Sequence, residues 1–325
     1  MNAEELELIT TFASLAPSVH NTQPWRFVAG DHSLEVRADP ARRLDFLDQS
    51  CRQLHMSCGA AVEFARLAIR ALGYSCIVRL APRVDDPLLI ATLTVGGRSA
   101  VQPAEQRLFD AAPRRYTDRG FYDDKKVPRE VLARMADAAA EVGCWLQPLN
   151  RPGDRLLAAV LLEKAESIES DDPRYREELE RWRRDEVADD GVPDAALPSW
   201  PDDRVSDMPL RDFVGQEQPQ GGRRGSRPNV ERDTLLLIGS DGDDRLSWLR
   251  TGRALAAVLL MATDAGVATQ PLGQVTDVPA TRVHLQRGLG LLGYPQLLLR
   301  MGYGHGHPAT GRRPIEETLV GHAVA

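Results

Sequence analysis

Apolar positions in the chain recur with two spacings. Between residues 51 and 72, Leu54, Cys58, Ala61, Val62, Ala65, Ile69 and Leu72 fall on one stripe at helical spacing, and Gly73 is placed to stop the run. The pattern predicts a long amphipathic helix. A second such run covers 246–265 and ends at Gly266. A shorter one covers 4–15 through Leu6, Ile9, Phe12 and Leu15, and Pro17 ends it. Residues 25–28 and 34–36 read as short strands around Gly30-Asp31, and residues 88–95 as a strand ending at Gly96-Gly97. Residues 234–238 read as a buried strand, and so do residues 296–301 behind Pro295. Pro279 opens a short helix to Arg287. The stretch 267–273 reads as turn-rich.

The two long helices overlay without a gap at a shift of 193. Gly59 falls on Gly252, Ala61 on Ala254, Ala65 on Val258 and Gly73 on Gly266. Leu259 stands where Arg66 does, so the second helix should be the more buried. The N-terminal helix and the loop after it overlay at a different shift, 124, with Gln23 on Gln147 and Pro24 on Pro148. Two overlays in the same order indicate an internal duplication, with halves at 1–112 and 113–325. The unequal shifts place an insertion in the second half. Within it, 171–190 is highly charged and 191–231 is rich in proline and glycine, although Trp182, Leu197, Trp200, Met208, Leu210 and Phe213 give it material to pack with. This reads as a lid at about 171–231, with a solvated linker as the alternative.

Composition narrows the function classes. The chain has 325 residues, 42% of them apolar, and a formal charge of −7 with lysine and arginine dispersed. It can build a sizeable core, and it offers no general surface for nucleic acid. No run of 18 apolar residues predicts a membrane span, and the acidic start lacks a signal-peptide core. Four cysteines without secreted-domain spacing read as reduced thiols, and the expected location is cytoplasmic.

Chemistry concentrates in a few segments. Residues 16–27, Ala-Pro-Ser-Val-His-Asn-Thr-Gln-Pro-Trp-Arg-Phe, connect a helix to a strand and offer a hydroxyl, two amides, an indole and a guanidinium around a fixed proline. An ordinary polar loop is the alternative. Residues 114–121, Arg-Arg-Tyr-Thr-Asp-Arg-Gly-Phe, bring guanidinium forks suited to phosphate. Gly288, Gly290 and Gly293 match a dinucleotide-binding spacing, but they follow a helix and lead to a strand, the wrong context for it. Cys51, His55 and Cys58 share a helix face without a fourth ligand and read as packing, and His305-Gly306-His307 reads as a turn, so no metal site is expected.

The loop at 16–27 resembles the flavin-contacting segment of the nitroreductase superfamily, and with His20 and Thr22 it is similar to the Acg-like subfamily. The segment 114–121 is similar to that family's phosphate-binding opening, with Thr117 in place of a serine and either Arg114 or Arg115 as the leading arginine. The resemblance implies an α+β nitroreductase-like fold, duplicated into a single-chain pseudo-dimer with one FMN. It implies ring contacts for Asn21, Gln23 and Arg26, packing for Trp25, and ribityl or phosphate contact for Ser18. Arg114, Arg115, Thr117 and Arg119 would hold the phosphate with Arg312 or Arg313. Thr269, Gln270, Pro271, Leu272 and Gly273 would lie along the flavin. It implies an oxidoreductase taking hydride from NAD(P)H and passing electrons to a nitroaromatic or quinone, with no dedicated acid–base residue. The alternative is an FMN-sequestering protein whose lid occludes the flavin. A monomer is expected, a homodimer being the other arrangement.

Overall fold

The structure, a computed structural model, describes residues 1–123, 125–197, 233–304, 306 and 310–322. Its centre is a pair of helices, α2 (Arg52–Ala71) and α7 (Arg245–Asp264). They pack closely because each carries a glycine where they meet. A β-carbon on Gly59 would collide with the backbone of Leu249, and one on Gly252 with the backbone of Met56. The contact is reciprocal, since the shift of 193 that takes Gly59 to Gly252 also takes Met56 to Leu249. The helix bounds obey the same shift. Leu259 is buried, whereas Arg66 keeps 22% of its side chain exposed, yet against expectation α2 is the more buried helix as a whole, because it packs against the first core along most of its circumference.

One charge lies inside this helix pair. The Glu63 carboxylate, 7% exposed, is clamped by Arg66 at 2.7 Å and by Arg253 at 2.8 Å. Burial alone would raise its pKa, but the two guanidiniums outweigh burial and hold it below the usual carboxylate range. The pair therefore contributes stability above the ordinary glutamate pKa, and that contribution is lost as pH falls through the lowered value. Glu63→Gln should cost about 3 kcal/mol at pH 7, because it leaves two partly buried guanidiniums short of a partner. Urea melts at pH 7 and pH 3 check this. The variant's deficit should shrink at the lower pH.

A sheet packs against each helix of the pair. The first half supplies β1 (Trp25–Gly30), β2 (Ser33–Ala38), β3 (Tyr74–Leu80) and β4 (Leu89–Arg98), ordered β1-β2-β4-β3. The second supplies β5 (Cys144–Pro148), β8 (Thr234–Ser240), β9 (Ala268–Leu272) and β10 (Tyr294–Gly302), ordered β5-β8-β10-β9. In chain order the two sheets have one topology, antiparallel throughout. The final strand, β11 (Leu319–His322), crosses back to pair in parallel with β1, so the tail of the second half completes the sheet of the first.

Two further features differ from the sequence expectation. Residues 268–272 are a strand and not turns; Pro271 is tolerated because β9 is an edge strand, with no further strand beyond it among the described residues to need its missing N–H. The overlay at a shift of 124 does not align the strands: Gln23 and Pro24 precede β1, whereas Gln147 and Pro148 end β5. The cause is the connection. From α1 (Ala3–Ser14) the chain takes a ten-residue loop to β1, but α4 (Arg129–Glu141) turns into β5 within two residues, on Gly143 with φ 77°.

The insertion does two things. Its helix α5 (Pro152–Asp171) places Ala158, Leu161 and Leu162 on the outer face of the second sheet. With both faces covered, β8 and β10 carry continuous apolar runs: Leu236 and Leu299 face inward to α7, while Leu237 and Leu298 face outward to α5. Helix α6 (Pro173–Trp182) then reaches the first half, where the Glu178 carboxylate accepts from the backbone amides of Asp45 at 2.6 Å and Leu47 at 2.9 Å. The short strands β6 (Arg183–Arg184) and β7 (Val192–Pro193) follow. Residues 198–231 of the expected lid, with Trp200, Met208, Leu210 and Phe213, lie outside the described residues, as do His305 and His307.

Candidate functional site

The loop between α1 and β1 crosses α2. His20, Asn21 and Gln23 all have positive φ, at 47°, 54° and 48°. Such a backbone is held only by its surroundings. Ser18 Oγ accepts from the Gln23 amide at 2.9 Å, Ser57 on α2 accepts from the Val19 amide at 3.3 Å, and Asn21 Nδ2 donates to the carbonyls of Gly191 and Gly311, each at 3.1 Å. The loop is thus fastened to α2, to the insertion and to the C-terminal tail.

It walls a cleft with two compartments that share Pro17, Ser18, Thr117 and Arg119. The smaller, about 510 Å³, is cationic. Arg115, Arg119 and Arg312 line it, and among the described lining residues there is no carboxylate. Arg115 is 8% exposed, and its Nε and Nη1 find no hydrogen-bond partner. Burial, then the charges of Arg312 and Arg119, push its pKa down to about 9. Burial pushes Arg312 down to about 10. Unsatisfied guanidinium nitrogens on Arg115 and Arg312, with no carboxylate among the described lining residues, are the signature of an anion site.

The larger compartment, about 780 Å³, has a floor of Met56, Leu255 and Leu297 and a polar rim. Asp277 Oδ1 accepts from Arg52 Nη2 and from Gln53 Nε2, both at 2.6 Å. Arg52 sits behind the wall and spends its other N–H groups on the carbonyls of Gln296 and Thr276. Gln270 Oε1 accepts from Arg300 Nη1 at 3.0 Å, and Arg300 also donates to the Gly120 carbonyl and pairs with Asp233. Gly273 leaves the rim open: a β-carbon there would lie 2.7 Å from Asp277 Oδ2. An apolar floor beneath a few fixed polar groups suits a flat heterocycle, and the adjoining arginines suit its anionic tail.

The structure brings Ser18, Asn21, Arg115, Thr117, Arg119, Gln270, Pro271, Gly273 and Arg312 to this cleft. It sets the others apart. Arg114 is exposed and lines neither compartment, whereas Arg115 lines the cationic one. Gln23 is buried under the loop, donating to the Asp189 carbonyl at 2.7 Å and accepting from the Arg313 amide at 2.9 Å. Trp25 is fully buried in the first core, Leu272 in the outer core of the second sheet. Arg26 faces outward and pairs with Asp39, and the Arg313 guanidinium donates to the Gln23 and Glu317 carbonyls. Thr269 acts through its carbonyl, which accepts from the Asp118 amide at 3.0 Å and anchors the arginine loop. Trp182 packs against the Arg42 guanidinium, 5.1 Å from ring centre, and lines a separate small cavity with His20.

Sequence reasoning missed Gln53, Met56, Ser57, Leu255, Asp277 and Leu297. Gln53 and Ser57 carry the one usable signal, two polar residues four apart beside an apolar stripe. Cys51, His55 and Cys58 do not converge: His55 bonds the Cys51 carbonyl and Cys58 the Pro24 carbonyl. Among the described residues no group of His, Cys, Asp or Glu is placed to hold a metal, and no helix is long and apolar enough to cross a membrane.

No protein-family model matches the chain. It is 35% identical to "Putative NAD(P)H nitroreductase Rv3131" of Mycobacterium tuberculosis, across 98% of this chain and 92% of that protein. It is 32% identical to "Putative NAD(P)H nitroreductase acg" of the same organism, across 94% and 92%. Among solved structures it resembles a putative nitroreductase from Anabaena variabilis, with a TM-score of 0.52 at 10% identity, across 93% of this chain and 88% of that one.

Proposed function

The chain belongs to the nitroreductase family of Rv3131 and Acg, and from that premise we propose that it is an FMN-dependent NAD(P)H oxidoreductase acting on electron-poor acceptors such as nitroaromatics or quinones. The observation that carries this is Arg115, buried with its Nε and Nη1 lacking a hydrogen-bond partner, in a compartment that Arg312 also lines and that opens into an apolar-floored cleft. Arg115, Arg119 and Arg312 would hold the phosphate, with Ser18 and Thr117 along the ribityl chain. Pro271 and Gly273 would border the ring, and Met56, Leu255 and Leu297 would pack beneath it. When bound, FMN supplies the hydride acceptor and donor; the protein supplies position, exclusion of water and electrostatics.

The loop comes from residues 1–112 and the arginine segment and tail from 113–325. Each half thus supplies parts that the other lacks, which supports one FMN per chain and a monomer that needs no partner to complete its site. The matching strand orders support the duplication.

One observation favours a second reading, FMN sequestration. Val192 and Ala196, from the described part of the insertion, line the arginine compartment, and Arg119 donates to the Ala196 carbonyl at 3.3 Å. A strap lying there would slow the exit of a bound phosphate and restrict access to it. An anaerobic titration of FMN-loaded protein with NADPH and then NADH separates the two. Bleaching of the flavin band, reversed by a nitroaromatic or quinone, is the expected result. A band that persists with both nucleotides yet bleaches with a small chemical reductant would leave sequestration.

A further inference from the structure

The insertion stands across the arginine compartment. Val192 and Ala196 line it and do not line the larger compartment, and they are only 2% and 1% exposed. The strap that carries them is therefore packed down and is not an exposed flap. It bridges two walls. On the loop side, Asn21 Nδ2 donates to the Gly191 carbonyl at 3.1 Å and Gln23 Nε2 to the Asp189 carbonyl at 2.7 Å. On the arginine side, Arg119 donates to the Ala196 carbonyl at 3.3 Å. Asp190 sits between two guanidiniums, pairing with Arg42 and, at 2.6 Å, with Arg184. The C-terminal tail presses on the strap as well: a β-carbon on Gly311 would collide with the Ala188 carbonyl. The compartment joins the larger one at Pro17, Ser18, Thr117 and Arg119, which line both, and Val192 and Ala196 lie beyond that neck.

A chamber with a neck on one side and a fastened strap beyond suits a group that ends there. Charge points the same way. Arg115, Arg119 and Arg312 line the chamber with no carboxylate among the described lining residues. A phosphate monoester brings about −1.5 to −2 charges at pH 7, and linking that phosphate onward removes one of them. Resting on the FMN reading, we propose that the strap Asp189–Ala196 sets the size of the cofactor. It admits a flavin that ends in a phosphate monoester and rejects one whose phosphate carries a further nucleotide, so FMN is taken and FAD is refused. Val192 and Ala196 form the stop, and discrimination comes from a clash built against the longer molecule. Asp190 lines neither compartment; it is a positioning residue that holds the stop in place.

The test uses the full chain, freed of cofactor and titrated by calorimetry with FMN and with FAD. Wild-type protein should bind FMN about a hundredfold more tightly than FAD, or better. Asp190→Ala releases Arg42 and Arg184 and loosens the strap. It should leave FMN affinity within about threefold of wild type and cut the preference for FMN over FAD to about tenfold or less. A merely structural role would not move that ratio, because damage to the fold weakens both flavins alike. Val192→Gly removes part of the stop without touching either ion pair. It should lower the ratio in the same direction, and it carries the test if Asp190→Ala does not fold. Wild-type protein that binds FAD within about tenfold of FMN, or folded variants that keep the full preference, overturn the proposal. Wild-type protein that takes up neither flavin overturns the cofactor reading beneath it, an outcome distinct from the other two.

Discussion

Arg115→Met is expected to abolish FMN binding and to stabilise the cofactor-free protein. The two effects share a cause. Arg115 is buried with two N–H groups unpartnered, beside Arg312 and Arg119, and its pKa is pushed down to about 9. The unfolded chain holds that proton more tightly than the folded one. The charge therefore opposes folding at neutral pH, and the opposition fades as pH rises through about 9. Replacing such a group by an apolar side chain of similar length is worth about 1–4 kcal/mol to the apoprotein. For a bound phosphate the sign reverses. Two charge-assisted bonds at about 1.5–3 kcal/mol each vanish, so affinity should fall at least about a hundredfold. Thermal melts with and without FMN read both effects: the variant should melt higher than wild type when empty and gain nothing from added FMN. Arg114→Met, at an exposed position, should do neither. Binding by Arg115→Met within threefold of wild type would place the phosphate elsewhere. A less stable apoprotein would show that Arg115 serves the fold.

The parts of this molecule that were legible in the sequence are those where local pattern and burial agree. The stripe predicting a helix over 51–72 matches α2 at Arg52–Ala71, and the overlay at 193 lands on the bounds of α7. The paired glycines repeat because both helices meet the same close approach. The arginine segment and the loop at 16–27 were legible as places where polar residues cluster without a helical or strand-like reason. What the sequence could not show was which way those residues turn. Gln23 and Trp25 sit in the loop's most recognisable stretch, yet they face the fold, with Gln23 clasping Asp189 and Arg313 far along the chain. Asp277 and Gln53 are 224 residues apart and meet only because α8 (Gln274–Asp277) follows β9 beside the start of α2. Nothing local distinguishes such a pair from solvated polar residues. Similarly, β9 carries a proline that local rules exclude from a strand, and only its edge position in the sheet permits it.

The shared shift of 193 makes the paired glycines a test of how the two helices differ in what they support. Gly59→Ala and Gly252→Ala should destabilise the protein comparably, each by about 2 kcal/mol or more, since each forces a β-carbon into the backbone of the opposing helix. Alanine's better helix propensity, about 1 kcal/mol, offsets only part of this. Their effects on FMN should differ. Gly252 presses on Met56, which floors the cleft, and Leu255 lies one turn further along the same helix. Gly59 presses on Leu249, the positional counterpart of Met56, which is fully buried in the first core and lines no part of the cleft. Gly252→Ala should therefore weaken FMN binding about tenfold or more, while Gly59→Ala should leave it within about threefold of wild type under conditions where both variants are folded. Calorimetric titration of each variant, beside a urea melt, measures the two quantities separately. Equal losses of affinity would mean that the helix pair transmits strain to the cleft as a unit, or that a second flavin occupies the counterpart position. Stoichiometry in the same titration distinguishes these, because a second flavin would bring the count to two per chain. Unequal losses at one flavin per chain would locate the asymmetry of the helix pair in what packs beneath Met56 and Leu249: at one the pair borders a cleft, and at the other the same geometry is filled by core.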